Sequence, residues 1–161
     1  MTIKHNVPRF VPILYFAYGS NLHQEQMKNR CPDSQPVARA TAHDFSLTFR
    51  GNYRGNGVAD IQPTKGRRVE GALYKVSWDD LIALDRYEGY PFLYQRQLIS
   101  VSTKEGPVNA FVYRMNKGFH YQAPSNSYFD IIRQGYRDWA MAETPLLSAR
   151  DRLSQPHHAA K

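Results

Sequence analysis

The chain has 161 residues, of which 42% are hydrophobic and 22% charged, and a net charge of +7. A chain of that order buries roughly two-thirds of its unfolded surface, so its core needs neither disulfide nor metal, and the composition excludes an intrinsically disordered chain. No run of about 18 apolar residues occurs, which excludes a membrane-spanning helix. Eleven Tyr, eight Phe, ten Gly and ten Pro favour short strands and loops over a helical bundle.

Residues 1–11 and 154–161 are expected to be tails around one domain, 12–153. Met1 to Val11 has no apolar stretch, so no secretory leader is expected. The run Ile13-Leu14-Tyr15-Phe16-Ala17-Tyr18, ending at Gly19, predicts a buried strand. Gly19-Ser20-Asn21 breaks it, and Leu22 to Arg30 follows as a short helix stopped before Pro32. Val37 to Arg50 has strand character, with Phe45, Leu47 and Phe49 alternating. The glycines from Gly51 to Gly57 predict a loop. Val58–Gln62 and Val69–Val76 are expected as two strands of a hairpin turning at Pro63 to Arg68.

Ser77 suits the N-cap of a helix from Trp78 to Glu88, with Asp79 and Asp80 in its first turn and Gly89 to end it. Tyr94–Ser102 and Val108–Arg114 form a second expected hairpin. Ser125 to about Glu143 completes the pattern as one long helix with Tyr128, Ile131, Ile132, Tyr136 and Trp139 at helical spacing. The sum is an α+β domain without βαβ alternation. About six or seven short strands point to a sheet curled into a small barrel, with flanking helices.

Charge and cysteine narrow the functional classes. Arg50 and Arg54, Arg67 and Arg68, and Arg150 and Arg152 are scattered pairs rather than a basic run, so nucleic acid is not the expected partner. Cys31 is the single cysteine, which fits a reducing compartment and a cytoplasmic default. Beside Pro32 it suits a packed thiol better than a nucleophile. No pair among the six histidines has the spacing of a helical zinc site, and Gly19-Ser20-Asn21 is not the nucleophile elbow of a hydrolase.

Two places strain local rules. The Tyr18-Gly19-Ser20-Asn21-Leu22 turn joins a strand to a helix, where glycine permits close approach and free N–H groups suit a small anion. The same residues also suit a bare N-cap by Ser20 or Asn21. Glu88 stands at the C-terminal end of its helix, facing the negative end of the dipole, with Tyr90, Pro91, Phe92, Leu93 and Tyr94 following. Dipole and apolar burial both raise a carboxyl pKa, which suits a general base. The competing reading is an exposed glutamate paired with Arg86 or Arg96.

Taken together, these segments resemble the γ-glutamylcyclotransferase family, also called AIG2-like. Tyr15-Phe16-Ala17-Tyr18-Gly19-Ser20-Asn21-Leu22 is similar to its opening motif, and Leu84-Asp85-Arg86-Tyr87-Glu88-Gly89 to the segment bearing its catalytic glutamate. Val69-Glu70-Gly71-Ala72-Leu73-Tyr74 resembles the preceding strand, and Ala123-Pro124-Ser125 with Tyr128 the stretch bearing a substrate-contacting tyrosine. The resemblance implies a small mixed barrel with flanking helices, and neither cofactor nor metal. It implies substrate contacts from Tyr15, Phe16, Ala17, Tyr18, Gly19, Ser20 and Asn21, a pocket role for Tyr128, and Glu88 as general acid/base. It implies a small γ-glutamyl substrate cyclised to 5-oxoproline with release of an amine. Gly-Ser-Asn in place of Gly-Ser-Leu leans away from the glutathione-specific branch. The rival is a non-catalytic carboxylate-binding domain on the same fold. Gly51 to Gly57 and Met115 to Gln122 are the segments expected to border the leaving group.

Overall fold

The computed structural model describes residues 13–153; the expected tails, 1–11 and 154–161, lie outside the described residues. Five strands, β1 (Ile13–Ala17), β2 (Gln35–Gly51), β3 (Gly57–Val76), β4 (Tyr94–Thr103) and β5 (Gly106–Met115), accompany four helices. The helices are α1 (Gln24–Arg30), α2 (Trp78–Glu88), α3 (Asn126–Asp138) and α4 (Thr144–Leu153). The strands close a barrel in the order β1-β3-β2-β4-β5. The neighbours are antiparallel except at the closure, where β1 runs parallel to β5 with Tyr15 opposite Phe111.

The strand count is five rather than six or seven because the expected Val58–Val76 hairpin is a single strand. Both of its halves pair with β2: Ile61 stands opposite Leu47 and Val69 opposite Ala42. Two strands of a hairpin would pair with each other. Between them Phe45 pairs with Pro63 and His43 with Arg68, so residues 64–67 bulge out opposite Asp44. Asp44 (φ 63°) and Gly66 (φ 83°) both take left-handed backbone. The Gly66 N–H donates to Asp44 Oδ1 at 2.9 Å. Proline and glycine here mark a bulge, and the reversal lies at residues 52–56, the loop read from its glycines. The β4–β5 hairpin forms as expected.

α2 also matches its expected bounds. Ser77 Oγ accepts from the Asp80 N–H at 3.1 Å while the Ser77 N–H donates to Asp80 Oδ2 at 3.2 Å, a reciprocal cap. Gly89, at φ 64°, terminates it. The expected last helix, Ser125 to about Glu143, ends early at Asp138, and a further helix follows it. Ala140 adopts φ 52°, its N–H and that of Met141 turn back to Arg137 and Tyr136 carbonyls, and α4 starts at Thr144 with Pro145 in its first turn. α3 lies tight against the residues that follow β1. A Cβ on Gly135 would stand 2.5 Å from Leu22 Cβ, so only glycine admits this approach.

Candidate active site

The residues after β1 form a one-turn 3-10 helix, Ser20–Leu22, before α1 begins. His23, not Ser20 or Asn21, caps α1, its Nδ1 accepting from the Gln26 N–H at 3.1 Å. The bare-cap reading of Ser20 and Asn21 is therefore replaced. The short helix expected from Leu22 to Arg30 is one 3-10 turn followed by a seven-residue helix, which sum few peptide dipoles. What remains is local. Leu22 and His23 N–H groups are used by Gly19 and Ser20 carbonyls, while those of Ser20 and Asn21 make no backbone bond among the described residues. Trp139 Nε1 donates to the Leu22 carbonyl at 3.0 Å, which ties the turn to the end of α3.

The turn edges a cavity of about 170 Å³. Tyr15, Tyr18, Gly19, Ser20 and Asn21 line it, and Glu88 and Tyr128 join them from α2 and α3. Phe16 and Ala17 do not line it. Both are fully buried in the core, with the Phe16 ring against Gly71, where a Cβ would stand 2.6 Å from it. Seven of the nine residues singled out from the sequence thus share one cavity, contributed by three separate stretches of chain.

Among the described residues Glu88 is the one carboxylate lining that cavity, and no Lys, Arg or His lines it. The exposed, arginine-paired alternative is not what forms. Arg96 pairs with Asp85 at 2.9 Å, and Arg86 makes no ion pair among the described residues. Burial pushes the Glu88 carboxyl up to about 8, with Arg30 pulling the other way. Glu88 is half-buried as a residue, and its carboxyl is desolvated.

The rest of the lining is largely tyrosine, and the hydroxyls differ in what they have spent. Tyr18 donates to the Tyr113 carbonyl at 2.6 Å, Tyr94 to the Ala59 carbonyl at 2.6 Å, and Tyr113 to Asp85 Oδ1 at 2.6 Å. Tyr15 and Tyr128 are acceptors instead: from Asn21 Nδ2 at 2.9 Å and from the Ala59 N–H at 3.0 Å. Each of these two hydroxyls keeps its own proton for a ligand. Burial raises the pKa of all five, so they are neutral donors at ordinary pH.

Tyr18 was expected from the first motif, whereas Tyr94, Tyr113 and Tyr87 come to the cavity unannounced. Tyr94 and Tyr113 reach it from β4 and β5 by strand alternation around a closed barrel, a register not readable from local pattern, and Tyr87 comes from α2 beside Glu88. Asn52 is the cavity's contribution from the glycine-rich loop; no residue of 115–122 lines it. That second segment is held elsewhere, by Arg50 donating to the Phe119 and Asn116 carbonyls. Cys31 is buried, its thiol pushed up to about 12 by burial, an idle packed group. Among the described residues no three His, Cys, Asp or Glu side chains converge as metal ligands, and no helix is long and apolar enough to cross a membrane.

Comparison with known proteins matches this arrangement. Residues 15–140 fit the family described as Gamma-glutamyl cyclotransferase, AIG2-like. A gamma-glutamylcyclotransferase of Bos taurus is 34% identical over 134 residues, covering 78% of this chain and 70% of its own. The Homo sapiens gamma-glutamylcyclotransferase is 32% identical with the same coverage. A solved structure titled gamma-glutamyl cyclotransferase superposes with a TM-score of 0.75 at 30% identity, covering 88% of this chain and 86% of its own. With the family matched over most of the domain, barrel and cavity included, the chain belongs to the gamma-glutamyl cyclotransferase, AIG2-like family.

Proposed function

We propose that this protein cyclises a γ-glutamyl amine or γ-glutamyl amino acid to 5-oxoproline and releases the amine, with Glu88 as general acid/base. The observation that carries the reading is one lone carboxyl, pushed up to about 8, in a cavity otherwise lined by neutral donors. The substrate's α-ammonium cannot attack its own γ-carbonyl until it loses a proton. The Glu88 carboxylate takes that proton, and the freed amine adds to the γ-carbon. The oxyanion intermediate collapses as the C–N bond to the leaving amine breaks; Glu88 gives its proton to that nitrogen, and the regenerated carboxylate takes the remaining extra proton from the ring nitrogen and passes it to water, leaving the neutral lactam. A pKa near working pH suits both directions of transfer.

Nucleophile and electrophile belong to one molecule, so the protein's larger task is to fold the substrate into an attack geometry. The backbone N–H groups of Ser20 and Asn21 suit the α-carboxylate. The free hydroxyl protons of Tyr15 and Tyr128 suit the carboxylate and the oxyanion. Tyr15, Tyr18, Gly19, Ser20, Asn21 and Tyr128 are the binding residues of this reading; Phe16 and Ala17 act as core behind them. The location proposed is cytoplasmic, in keeping with a small-molecule enzyme with one buried free thiol.

The test is 5-oxoproline release from a γ-glutamyl amide by the purified protein and by Glu88→Gln. Glutamine keeps the shape and loses the base, so turnover should fall at least about a hundredfold while substrate still binds. Near-wild-type release by the variant would sink the assignment, and binding without release by the wild type would leave a carboxylate-binding domain.

A further inference from the structure

The cavity has a charge problem that its lining does not solve. A γ-glutamyl substrate brings an α-carboxylate into a site that already holds Glu88, and no cation lines it. The substrate's own α-ammonium offsets one of the two carboxylates, and one negative charge in a desolvated space is left to compensate. The nearest source of positive charge stands one layer back. Arg30, the last residue of α1, donates from Nη1 to Asn21 Oδ1. Its guanidinium carbon sits over the Tyr87 ring, 3.3 Å from the centroid. Tyr87 in turn sits 3.4 Å from Ser20 Oγ. Arg30 has no carboxylate partner among the described residues, so its charge is not spent on an ion pair.

We infer that Arg30 is a positioning residue that delivers its positive charge to the substrate's α-carboxylate through a relay, Arg30 to Asn21 to Tyr15. The inference rests on the cyclisation reading of the site. Each link is a donor whose own group is polarised by the one behind it. Arg30 bonds the Asn21 carbonyl oxygen, Asn21 Nδ2 donates to the Tyr15 hydroxyl at 2.9 Å, and that hydroxyl keeps its proton for the cavity. Chained hydrogen bonds strengthen one another in a low-dielectric interior. The guanidinium over Tyr87 and its single bond to the Asn21 carbonyl oxygen use what arginine has and lysine lacks, a planar face and a fixed donor geometry.

The same charge acts on Glu88. The groups facing its carboxyl from β1 and the turn after it, β4, β5 and α3 are Tyr15, Tyr18, Tyr94, Tyr113 and Tyr128. All five are neutral phenols. Arg30 is the one group that pulls the Glu88 carboxyl down against burial. Removing the guanidinium therefore moves the ionisation of Glu88 to higher pH, an effect that packing alone does not produce.

The experiment compares wild type, Arg30→Met and Arg30→Lys in the full chain. Thermal unfolding first confirms that each folds. For a γ-glutamyl amide, Arg30→Met should raise KM about tenfold or more with plateau kcat within about threefold, the signature of lost ground-state binding. The pH limb of kcat/KM should shift upward. Arg30→Lys should return the limb toward wild type while recovering KM only in part. A KM and limb unmoved in Arg30→Met, or a lysine variant as impaired as the methionine variant in both, overturns the relay. Titration of the Glu88 side chain by ¹³C NMR in the free proteins gives a readout without turnover. If the wild type makes no 5-oxoproline, the cyclisation reading falls, and that titration still decides whether Arg30 sets the charge of the site: an upward shift in Arg30→Met upholds it, and no shift refutes it.

Discussion

Glu88 is where the sequence and the physical chemistry of the fold meet most directly. A carboxylate in the last turn of a helix is disfavoured by the dipole, and that much is legible from Ser77, Gly89 and the spacing between them. The absence of an arginine partner is not legible. Arg86 and Arg96 are near in sequence, and only the fold turns Arg96 to Asp85. A stability prediction follows with a definite sign. The folded pKa of about 8 exceeds the ordinary 4.5, so between these values the unfolded chain has released a proton that the folded chain still holds. Folding is then penalised as pH rises from about 4.5, and the penalty is complete above about 8. Its ceiling is on the order of 5 kcal/mol. Glu88→Gln cannot ionise and escapes the penalty. Its melting temperature relative to wild type should be nearly unchanged at pH 5 and clearly raised at pH 8.5. A difference that stays flat across that range means that the carboxyl is solvated and ordinary.

At the scale of elements, what could be read was whatever local chemistry dictates. The α2 cap, its terminal glycine and the β4–β5 hairpin follow from short-range pattern. Pro63 and Gly66 misled because a bulge and a turn use the same residues. Only the pairing of both flanks with β2 separates the two, and pairing is long-range information. The early end of α3 before Ala140 is similar, since alanine in left-handed backbone carries no sequence mark. The turn after β1 was legible as a break but not as a 3-10 turn. Its glycine has a steric reason to be glycine: a Cβ on Gly19 would stand 3.0 Å from Ala59 Cβ and 3.8 Å from the Tyr128 hydroxyl. Ala59 holds Tyr128 by its N–H and Tyr94 by its carbonyl. Gly19→Val therefore presses on the residue that orients two cavity tyrosines. We expect KM for a γ-glutamyl amide to rise about tenfold or more, with cooperative unfolding retained at a cost of roughly 1–3 kcal/mol. Unchanged KM in a folded Gly19→Val protein would mean that the turn takes no part in binding.

At the scale of the whole molecule, closure of the barrel sets what the site can discriminate. Part of the sequence's positive charge is structural rather than available. Arg50 is buried against Asp60 at 2.9 Å, and Arg152 donates to the Leu47 carbonyl at 3.1 Å. The β1 end, α2 and α3 bring fixed groups to the cavity, Glu88, the Tyr15 and Tyr128 hydroxyls and the turn after β1, which the proposed reading sets against the γ-glutamyl head. Asn52, Val58 and Leu93 also line the cavity and carry no charge. Beside them Tyr53 and Phe92 are exposed, joined by a Tyr53 hydroxyl donating to the Phe92 carbonyl at 3.3 Å. The 52–56 turn that carries Asn52 and Tyr53 is held mainly by its own bonds, Asn52 Oδ1 accepting from the Arg54 and Asn56 N–H groups. Groups of this kind select a leaving amine by contact, and a contact of a methylene or two changes selectivity by about 1–3 kcal/mol. The head is under a stricter demand, because its α-amine is the nucleophile. A panel of γ-glutamyl amides of different amines should therefore turn over within about two orders of magnitude of one another. An N-acetylated γ-glutamyl amide should give no product at all. Release of amine from the acetylated compound at a comparable rate would replace ring closure with attack by water, because acetylation blocks the first and leaves the second untouched.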